Sequence, residues 1–302
     1  MNSQPLISVI INCYNGEKYL KEAIDSVYSQ SYQNFEIIFW DNNSNDKSSD
    51  IAKSYDKKLK YYYSKNTTSL GEARSKAIKK TSGDYITFLD VDDIYENNKF
   101  YKQINLMTKK NLLMCYGSIK FFKGNKTIWV RKAKNSTGNI FSNLLLDYEI
   151  HMNTVMISKK IFTYFNYRFN KTLQYSPDYN LFMKISLQHD IGVISEVIGN
   201  SRVHDRSLTN SLMDIIPEEH LFTINELQKR DPSIIEKYRK NLSYAINKTY
   251  YYEAISFIYS DEIKSARKVL LKIFYLDLKY FILFLLLLFP FNKNTILKIL
   301  KR

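Results

Sequence analysis

The sequence predicts an α/β fold built on an open, largely parallel sheet with flanking helices. Two observations carry this prediction: strand–loop–helix units follow one another along the N-terminal third, and their strands are continuous apolar runs. Leu6–Ile11 and Phe35–Trp40 are apolar at nearly every position. Such runs fit strands that are buried on both faces, as in the core of a parallel sheet.

Four such units are predicted, and a more mixed pattern follows them. Asn15 is the expected N-cap of the first helix, because Asn favours that position and apolar residues at helical spacing come after it. Pro217 marks the expected start of a helical tail. The predicted strands are Leu6–Ile11, Phe35–Trp40, Lys60–Tyr63, Tyr85–Leu89, Leu113–Gly117, Thr154–Ser158 and Gly192–Val197, and the predicted helices contain Leu20–Val27, Ile51–Tyr55, Leu70–Ile78, Phe100–Met107 and Asp178–Gln188.

Composition and charge narrow the class of protein. The chain of 302 residues has two cysteines, so neither a disulfide framework nor a structural zinc site is expected. Lys and Arg number 44 against 30 Asp and Glu, a net charge of +14. That excess fits a nucleic acid, an anionic membrane or a phosphorylated substrate as partner. Over half of it lies in Lys264–Arg302, which holds nine basic residues and one acid.

The tail contains an apolar segment, Tyr280–Phe291, without charged residues. As a helix it would span about 18 Å, short of the roughly 30 Å of hydrocarbon in a bilayer. Because basic residues flank it on both sides, we expect an interfacial anchor on anionic lipid. The alternative is a helix packed on its own domain or on a dimer partner. The N-terminus lacks the pattern of a secretory signal, so we expect a cytoplasmic protein, peripheral on the inner face of the cell membrane.

Three polar clusters follow predicted strands, at residues 12–15, 41–46 and 90–93. In open α/β sheets ligands bind outside the carboxyl ends of the strands. Asp90 and Asp92 project to the same side of an extended segment, and with Asp93 they form a cluster that repels itself unless a cation compensates. Mg²⁺ or Mn²⁺ is the natural cation for such a cluster. The alternative is an acidic turn on a solvated surface.

Several segments together resemble the family 2 glycosyltransferases of the GT-A fold, of the bacterial, non-processive type. The resemblance covers about Pro5–Leu106 strongly and continues weakly to about Thr209. The segments that carry it are Ser8–Asn15, Phe35–Asp46, Gly71–Arg74 and Gly83–Asp93. It implies a catalytic domain at residues 1–215 that binds a nucleotide-sugar, followed by a helical tail at 216–302 whose membrane segment is about 264–302.

The resemblance also implies roles for residues at the strand ends. Asn12 and Tyr14 would belong to the nucleotide pocket, with Tyr14 stacked on the base. Asp41 would accept a hydrogen bond from the base, and its alternative is an Asx-turn before a helix. Arg74 would meet the diphosphate, and its alternative is a surface charge. Asp92 would bind the metal, Asp90 would hold the ribose or support the metal, and Asp93 would support the cluster or contact the sugar.

Two later segments are similar to further parts of the family's site. In Tyr175–Phe182 the family's acidic pair is reduced to one acid, so Asp178 would be the general base; its alternative is the N-cap of a helix. In Arg202–Ser207, His204 would approach the metal or the diphosphate, and Arg202 would contact the diphosphate or the acceptor. His151 falls on the expected acceptor side.

We therefore expect an inverting, metal-dependent transfer of one sugar from a nucleotide-diphosphate donor, a UDP-sugar first, to a hydroxyl group. The acceptor would be a glycan or a lipid-linked glycan of lipopolysaccharide, capsule or related surface synthesis. Three alternatives stay open. They are nucleotidyl transfer on a similar fold, a basic membrane- or RNA-binding module, and a catalytically silent relative that acts as a subunit.

Overall fold

The computed structural model describes residues 4–204, 214–289 and 295–296. The chain divides into two compact units, residues 1–205 and 206–302. The division falls before the boundary expected at residue 215. Of the late Arg202–Ser207 segment, the last three residues lie outside the described residues.

The first unit is organised by one nine-stranded sheet. The strands are β1 Ile7–Cys13, β2 Phe35–Asp41, β3 Leu59–Tyr63, β4 Tyr85–Phe88, β5 Ile94–Tyr95, β6 Met114–Lys123, β7 Lys126–Arg131, β8 Met156–Ser158 and β9 Gly192–Arg202. Their order in the sheet is β3-β2-β1-β4-β8-β6-β9-β5, with β7 paired to β6. Four strands at one side, β3, β2, β1 and β4, are all parallel.

The other side of the sheet is mixed, which departs from the largely parallel prediction. β8 runs antiparallel to both of its neighbours, β4 and β6, and β5 and β7 are antiparallel additions. The pair β6–β9 is parallel again. Local apolar runs do not reveal strand direction, because a strand that is buried on both faces looks the same in either orientation.

The helices of the first unit begin and end close to the predicted positions. Leu20, Ala23, Ile24 and Val27 are all buried on the first helix. The N-cap prediction is wrong: the cap is Gly16, and Asn15 has a φ of 54°. The helices are α1 Glu17–Tyr28, α2 Ser48–Lys53, α3 Leu70–Ile78, α4 Lys99–Lys110, α5 Phe141–Leu146, α6 Lys160–Thr163 and α7 Pro177–Gln188, with a 3-10 turn at Met152–Thr154.

The core surrounds the parallel strands. Every residue of β2 is buried, including Glu36. That carboxylate accepts hydrogen bonds from the Ser8 hydroxyl and the Lys60 ammonium, each at 2.6 Å. A buried charge with such partners escapes most of its desolvation penalty. The same Ser8 hydroxyl oxygen accepts a hydrogen bond from the Gly83 N–H at 2.9 Å, which links the residues before β4 to β1.

The second unit is helical. Its helices are α8 Ile216–Arg230, α9 Ile234–Lys237, α10 Arg239–Tyr259, α11 Ile263–Leu270 and α12 Leu278–Leu288, with a 3-10 turn at Phe274–Leu276. Helix α12 packs Tyr280, Leu283 and Leu287 into a cluster with α10 and α11. The opposite face of α12 stays exposed although it is apolar, and it includes Ile282 and Leu285. No helix among the described residues is both long and apolar enough to cross a membrane.

Candidate active site

The loops that follow β1 and β2 are hydrogen-bonded to each other. The Asn15 N–H donates to Ser44 Oγ at 3.0 Å, and the Asn45 N–H donates to Asn15 Oδ1 at 2.9 Å. Tyr14 lies at the tip of the first loop with 57% of its surface exposed. Asn12 Nδ2 is buried and has no hydrogen-bond partner in the part of the chain that the structure describes. The pair offers a ring for stacking and an amide donor, as a base and ribose require.

Asp41 is fully buried at the end of β2. One carboxylate oxygen accepts from the Ser44 N–H at 2.8 Å, and the other accepts from the Tyr61 hydroxyl at 2.7 Å. The first bond reaches three residues along the chain, one residue further than in the Asx-turn that was the alternative to a ligand role. Each oxygen keeps a lone pair, but the side chain has no exposed surface, so the predicted contact with a base N–H requires the surrounding loop to move.

Arg74 is the structural link between the two halves of the candidate site. It lies on α3, which Ser69 caps by accepting the Glu72 N–H at 3.2 Å. The guanidinium is buried, not on the surface. It lies 3.5 Å from the Asp90 carboxylate and 3.8 Å from that of Asp178. A buried cation between two acids, one of its nitrogens without a hydrogen bond, is well placed for a diphosphate.

The carboxylates after β4 lie in three different environments. The Asp90 side chain is 41% exposed. Asp92 Oδ2 lies 2.7 Å from His204 Nε2. Asp93 is buried, and it accepts from the Arg202 N–H at 2.9 Å and from Asn153 Nδ2 at 3.3 Å. Asp93 therefore joins the turn to β9, while Asp90 and Asp92 face the open side.

Burial and mutual repulsion disturb the ionisation of this cluster. Burial raises the pKa of Asp92, the nearby Asp90 charge raises it further, and His204 opposes both. Burial, with Asp90 and Asp92, raises the pKa of Asp93 well above its ordinary value. The cluster thus carries negative charge that the protein compensates only in part. Such a site favours a bound cation.

The donor set fits a divalent metal only if a substrate completes the coordination. No group of three or more His, Cys, Asp or Glu side chains arranged for a metal occurs among the described residues. Asp92 and His204 provide a carboxylate oxygen and an imidazole nitrogen, and Mn²⁺ accepts both ligand types. The other positions would fall to diphosphate oxygens and water, as is usual where a metal binds a nucleotide.

The Arg202 side chain is held by polar and aromatic groups of the protein. Its Nε donates to the Asp92 carbonyl oxygen at 3.0 Å, and another guanidinium nitrogen lies 2.5 Å from Glu22. The guanidinium also lies 4.3 Å from the ring centroid of Tyr19 and 4.6 Å from that of Phe122. These contacts orient the acidic turn. They also engage the Arg202 guanidinium, which the resemblance assigned to the diphosphate or the acceptor.

Asp178 lies in the first turn of α7, after Pro177. The N-cap is Ser176, so the capping alternative for Asp178 is wrong, although a carboxylate still suits this end of a helix. Burial raises the pKa of Asp178, and Arg74 lowers it. A carboxylate with a raised pKa beside a single cation has the properties of a general base.

His151 immediately precedes the 3-10 turn at Met152–Thr154. Its Nδ1 accepts the Asn153 N–H at 3.3 Å, and its ring packs edge-on against Phe121 at 5.7 Å. Burial lowers the pKa of His151 to about 4, while Asp90 acts in the opposite direction. The imidazole is therefore neutral near pH 7, so it can form hydrogen bonds but does not bind a ligand as a cation.

The sequence analysis missed residues beside Asp178. The Tyr148 ring packs edge-on on Tyr179 at 4.8 Å, and its hydroxyl is buried without a hydrogen-bond partner in the described part of the chain. Arg131 on β7 donates to the Tyr148 carbonyl oxygen. No motif marks these residues. The one signal in the sequence was the apolar Ile128–Val130 run between charged residues, which fits a short strand.

Comparison with known proteins assigns the family. The description "Glycosyl transferase family 2" matches residues 8–184. An uncharacterized glycosyltransferase of Rickettsia typhi is 34% identical over 226 residues, 71% of this chain and 69% of the relative. The Escherichia coli protein WfgD, named as a UDP-Glc:alpha-D-GlcNAc-diphosphoundecaprenol beta-1,3-glucosyltransferase, is 29% identical over 191 residues, 63% of this chain and 73% of WfgD. The chain belongs to glycosyltransferase family 2.

Solved structures agree on the fold. TarS 1–349 of S. aureus in complex with UDP-GlcNAc has a TM-score of 0.70 at 19% identity, covering 87% of this chain and 80% of TarS 1–349. The mannosyltransferase PcManGT of Pyrobaculum calidifontis, in complex with GDP-Man and Mn²⁺, has a TM-score of 0.61 at 12% identity, covering 91% and 77%. The mixed sheet with flanking helices is a GT-A fold, as the sequence predicted.

Proposed function

We propose that this glycosyltransferase moves a single sugar from a UDP-sugar to a hydroxyl acceptor with inversion at the anomeric carbon. One observation carries the proposal: buried Arg74 lies within 4 Å of both Asp90 and Asp178. The guanidinium thus joins the strand-end cluster, which suits a nucleotide diphosphate, to a carboxylate that suits a general base. Direct displacement places the leaving diphosphate and the base on opposite sides of one sugar, so the residues that serve them must be near neighbours.

The residues of the chain divide the work of the reaction. Asp178 accepts the proton of the acceptor hydroxyl as its oxygen attacks the anomeric carbon from the face opposite the diphosphate. Arg74 stabilises the negative charge that grows on the departing diphosphate. Tyr14, Asn12 and Asp41 hold the base and ribose. Because a single displacement inverts the configuration, no second nucleophilic carboxylate is needed.

Asp92 and His204 would hold a divalent cation, supported by Asp90 and Asp93. When bound, Mn²⁺ or Mg²⁺ supplies Lewis-acid neutralisation of the diphosphate. The proposal is supported by the acidic cluster with its raised pKa values and by the Mn²⁺ in the PcManGT complex. The preference for uridine is supported by the nucleotides named for TarS and WfgD.

The acceptor is a sugar carried on a lipid diphosphate at the inner face of the cell membrane, as part of surface glycan synthesis. The acceptor in the name of WfgD supports this assignment. The exposed apolar face of α12, beside Lys272 and Lys279 and ahead of the basic C-terminal residues, supports a location at an anionic surface.

Donor screening tests the proposed reaction. Purified full-length protein is incubated with UDP-glucose, UDP-GlcNAc, UDP-galactose and GDP-mannose, with Mn²⁺ or with EDTA, and with an alkyl diphospho-N-acetylglucosamine as acceptor. We expect release of UDP that requires the metal and a product of inverted configuration by NMR. No release from any donor, or a product of retained configuration, would contradict the proposal.

A further inference from the structure

The hairpin β6–β7 carries an exposed aromatic and cationic surface beside the candidate active site. All six residues of β7 are exposed, so this strand contributes little to the core. Trp129 stacks on Phe121 with ring centroids 4.2 Å apart, yet 47% of its surface is open. Ile128 and Val130, on either side of Trp129, are exposed as well, and a contiguous exposed apolar patch is typical of binding sites.

This surface is continuous with the catalytic groups. Phe121, under Trp129, contacts the ring of His151. Arg131, two residues beyond Trp129 and on the same face of β7, donates to the carbonyl oxygen of Tyr148. Tyr148 in turn packs on Tyr179, the neighbour of Asp178. A ligand on Trp129 therefore reaches toward the general base.

A cavity of about 380 Å³ opens beside Trp129, and its charge is positive. It is lined by Arg131, Lys132 and Lys134, with Asp147 as the acid. Asp147 pairs with Arg131 at 2.8 Å and lies 3.8 Å from Lys134. The four side chains leave a net charge of +2, which suits a phosphate or diphosphate and not a neutral glycan.

The backbone under these cations is fixed. Buried Glu149 accepts hydrogen bonds from the N–H groups of Lys134 and Asn135 and from the Tyr116 hydroxyl. Ala133, between the two lysines, donates its N–H to Ser118 Oγ at 2.9 Å. The cations thus project from an anchored segment, so less conformational entropy is lost when an anion binds.

We propose that this surface is the acceptor subsite: Trp129 on Phe121 stacks against the accepting sugar, and Arg131, Lys132 and Lys134 bind the diphosphate that links this sugar to its lipid. The inference rests on the proposed function and adds to it the residues that select a diphosphate-linked acceptor. Stacking orients the sugar hydroxyl toward Asp178. The cations distinguish the lipid-linked sugar from the free sugar.

Tryptophan fluorescence tests the subsite directly. The chain has two tryptophans, and Trp40 is buried while Trp129 is exposed. We titrate full-length protein loaded with UDP and Mn²⁺ with two probes, an alkyl diphospho-N-acetylglucosamine and the alkyl N-acetylglucosaminide without diphosphate. The diphosphate probe should quench the Trp129 emission and bind about tenfold more tightly than the glycoside, a difference of about 1.4 kcal/mol.

Variants separate the parts of the surface. Lys132→Gln should weaken the diphosphate probe about tenfold and leave the glycoside unchanged. Trp129→Phe should weaken both probes, measured by calorimetry because the reporter is lost. Ile128→Ala is the matched control, since Ile128 is an apolar residue of the same strand that is 51% exposed and is not among the residues that line the cavity. It should bind both probes as the wild type does.

The outcomes are distinct. Wild-type protein that binds no UDP would overturn the proposed function, whereas UDP binding without any response of Trp129 to the diphosphate probe would overturn the subsite alone. Equal losses for Ile128→Ala and Trp129→Phe would also overturn it. So would a Trp129→Phe variant that changes the sedimentation of the protein while it binds both probes normally, because the surface would then be an interface between copies.

Discussion

At the scale of single residues, the candidate site is organised around one buried cation. Arg74 lies between Asp90 and Asp178; Arg74 lowers the pKa of Asp178, whereas the Asp90 charge raises it. Arginine suits this position better than lysine, since its planar guanidinium can face two acids or two phosphate oxygens at once. The acids on the two sides of Arg74 have different proposed roles, which can be tested separately.

Asp178→Asn should lower kcat by about 10²–10⁴-fold, because the amide cannot accept the proton of the attacking hydroxyl. In the wild type, the rate should fall as the pH is lowered through the raised pKa of Asp178, since only the ionised carboxylate accepts a proton. Steady-state kinetics across pH values measure both effects. Exposed Asp50→Asn serves as the control, and a near wild-type rate for Asp178→Asn would exclude Asp178 as the base.

Asp92→Asn should raise the Mn²⁺ concentration for half-maximal activity by about 10- to 100-fold, because it removes a charged ligand. Chelation with EDTA should stop the wild-type reaction, and added Mn²⁺ should restore it. Isothermal titration of Mn²⁺ in the presence of UDP provides a readout without turnover. If the titration curves of variant and wild type coincide, the metal does not bind at Asp92.

At the scale of elements, the parallel half of the sheet depends on a close approach between β4 and β1. A Cβ added to Gly83 would lie 2.6 Å from the Leu6 carbonyl oxygen and 2.7 Å from the Ser8 nitrogen. Both atoms belong to the backbone and cannot rotate away. The acidic turn follows β4 directly, so this contact also positions Asp90 and Asp92.

Gly83→Ala should lower the free energy of unfolding by about 1–3 kcal/mol, because the extra methyl group forces the two strands apart. Neighbouring Ser82→Ala, at an exposed position, should change it by less than about 0.5 kcal/mol. Urea denaturation followed by circular dichroism measures both. Equal stability of Gly83→Ala and the wild type would mean that β4 moves without cost.

Some elements of the fold and the candidate site could be predicted from the sequence, and others could not. β1, β2 and β4 could be predicted because their apolar runs are strong and local. The acidic turn after β4 was also visible in the sequence, and the resemblance supplied the roles of its residues. β7 could not be predicted as part of a site, since Ile128–Val130 looks like a core strand and yet is exposed. The contact between Arg74 and Asp178 is also invisible in the sequence. It depends on how α3 and α7 pack, not on local spacing.

At the scale of the whole molecule, the apolar helix of the second unit is packed on one face and exposed on the other. Tyr280, Leu283 and Leu287 pack inward, as the alternative of a packed helix requires. Phe281, Ile282, Leu285 and Leu288 remain exposed, as the proposal of an interfacial anchor requires. The flanking cations led to the expectation of an interfacial anchor. Which face of the helix packs inward could not be predicted, because every position of the segment is apolar.

The double variant Ile282→Asp/Leu285→Asp should abolish flotation of the full-length protein with liposomes that contain phosphatidylglycerol. The charges would oppose both insertion and attraction to the anionic surface. Leu221→Asp places a charge at another exposed apolar position of the same unit and should float as the wild type does. Flotation of the double variant, or none of the wild type, would contradict the proposed location.

The strand direction changes after β4, which is parallel to β1 and antiparallel to β8, and this seam divides the sheet into two parts. Tyr14, Asp41 and Arg74 come before that seam in the chain, whereas the hairpin, His151 and Asp178 come after it. Under the proposed roles, chimaeras joined just beyond residue 93 would recombine one relative's nucleotide preference with another's choice of hydroxyl. The proposed function thus predicts that the two specificities are separately exchangeable, which is a route to glycosidic linkages by modular design.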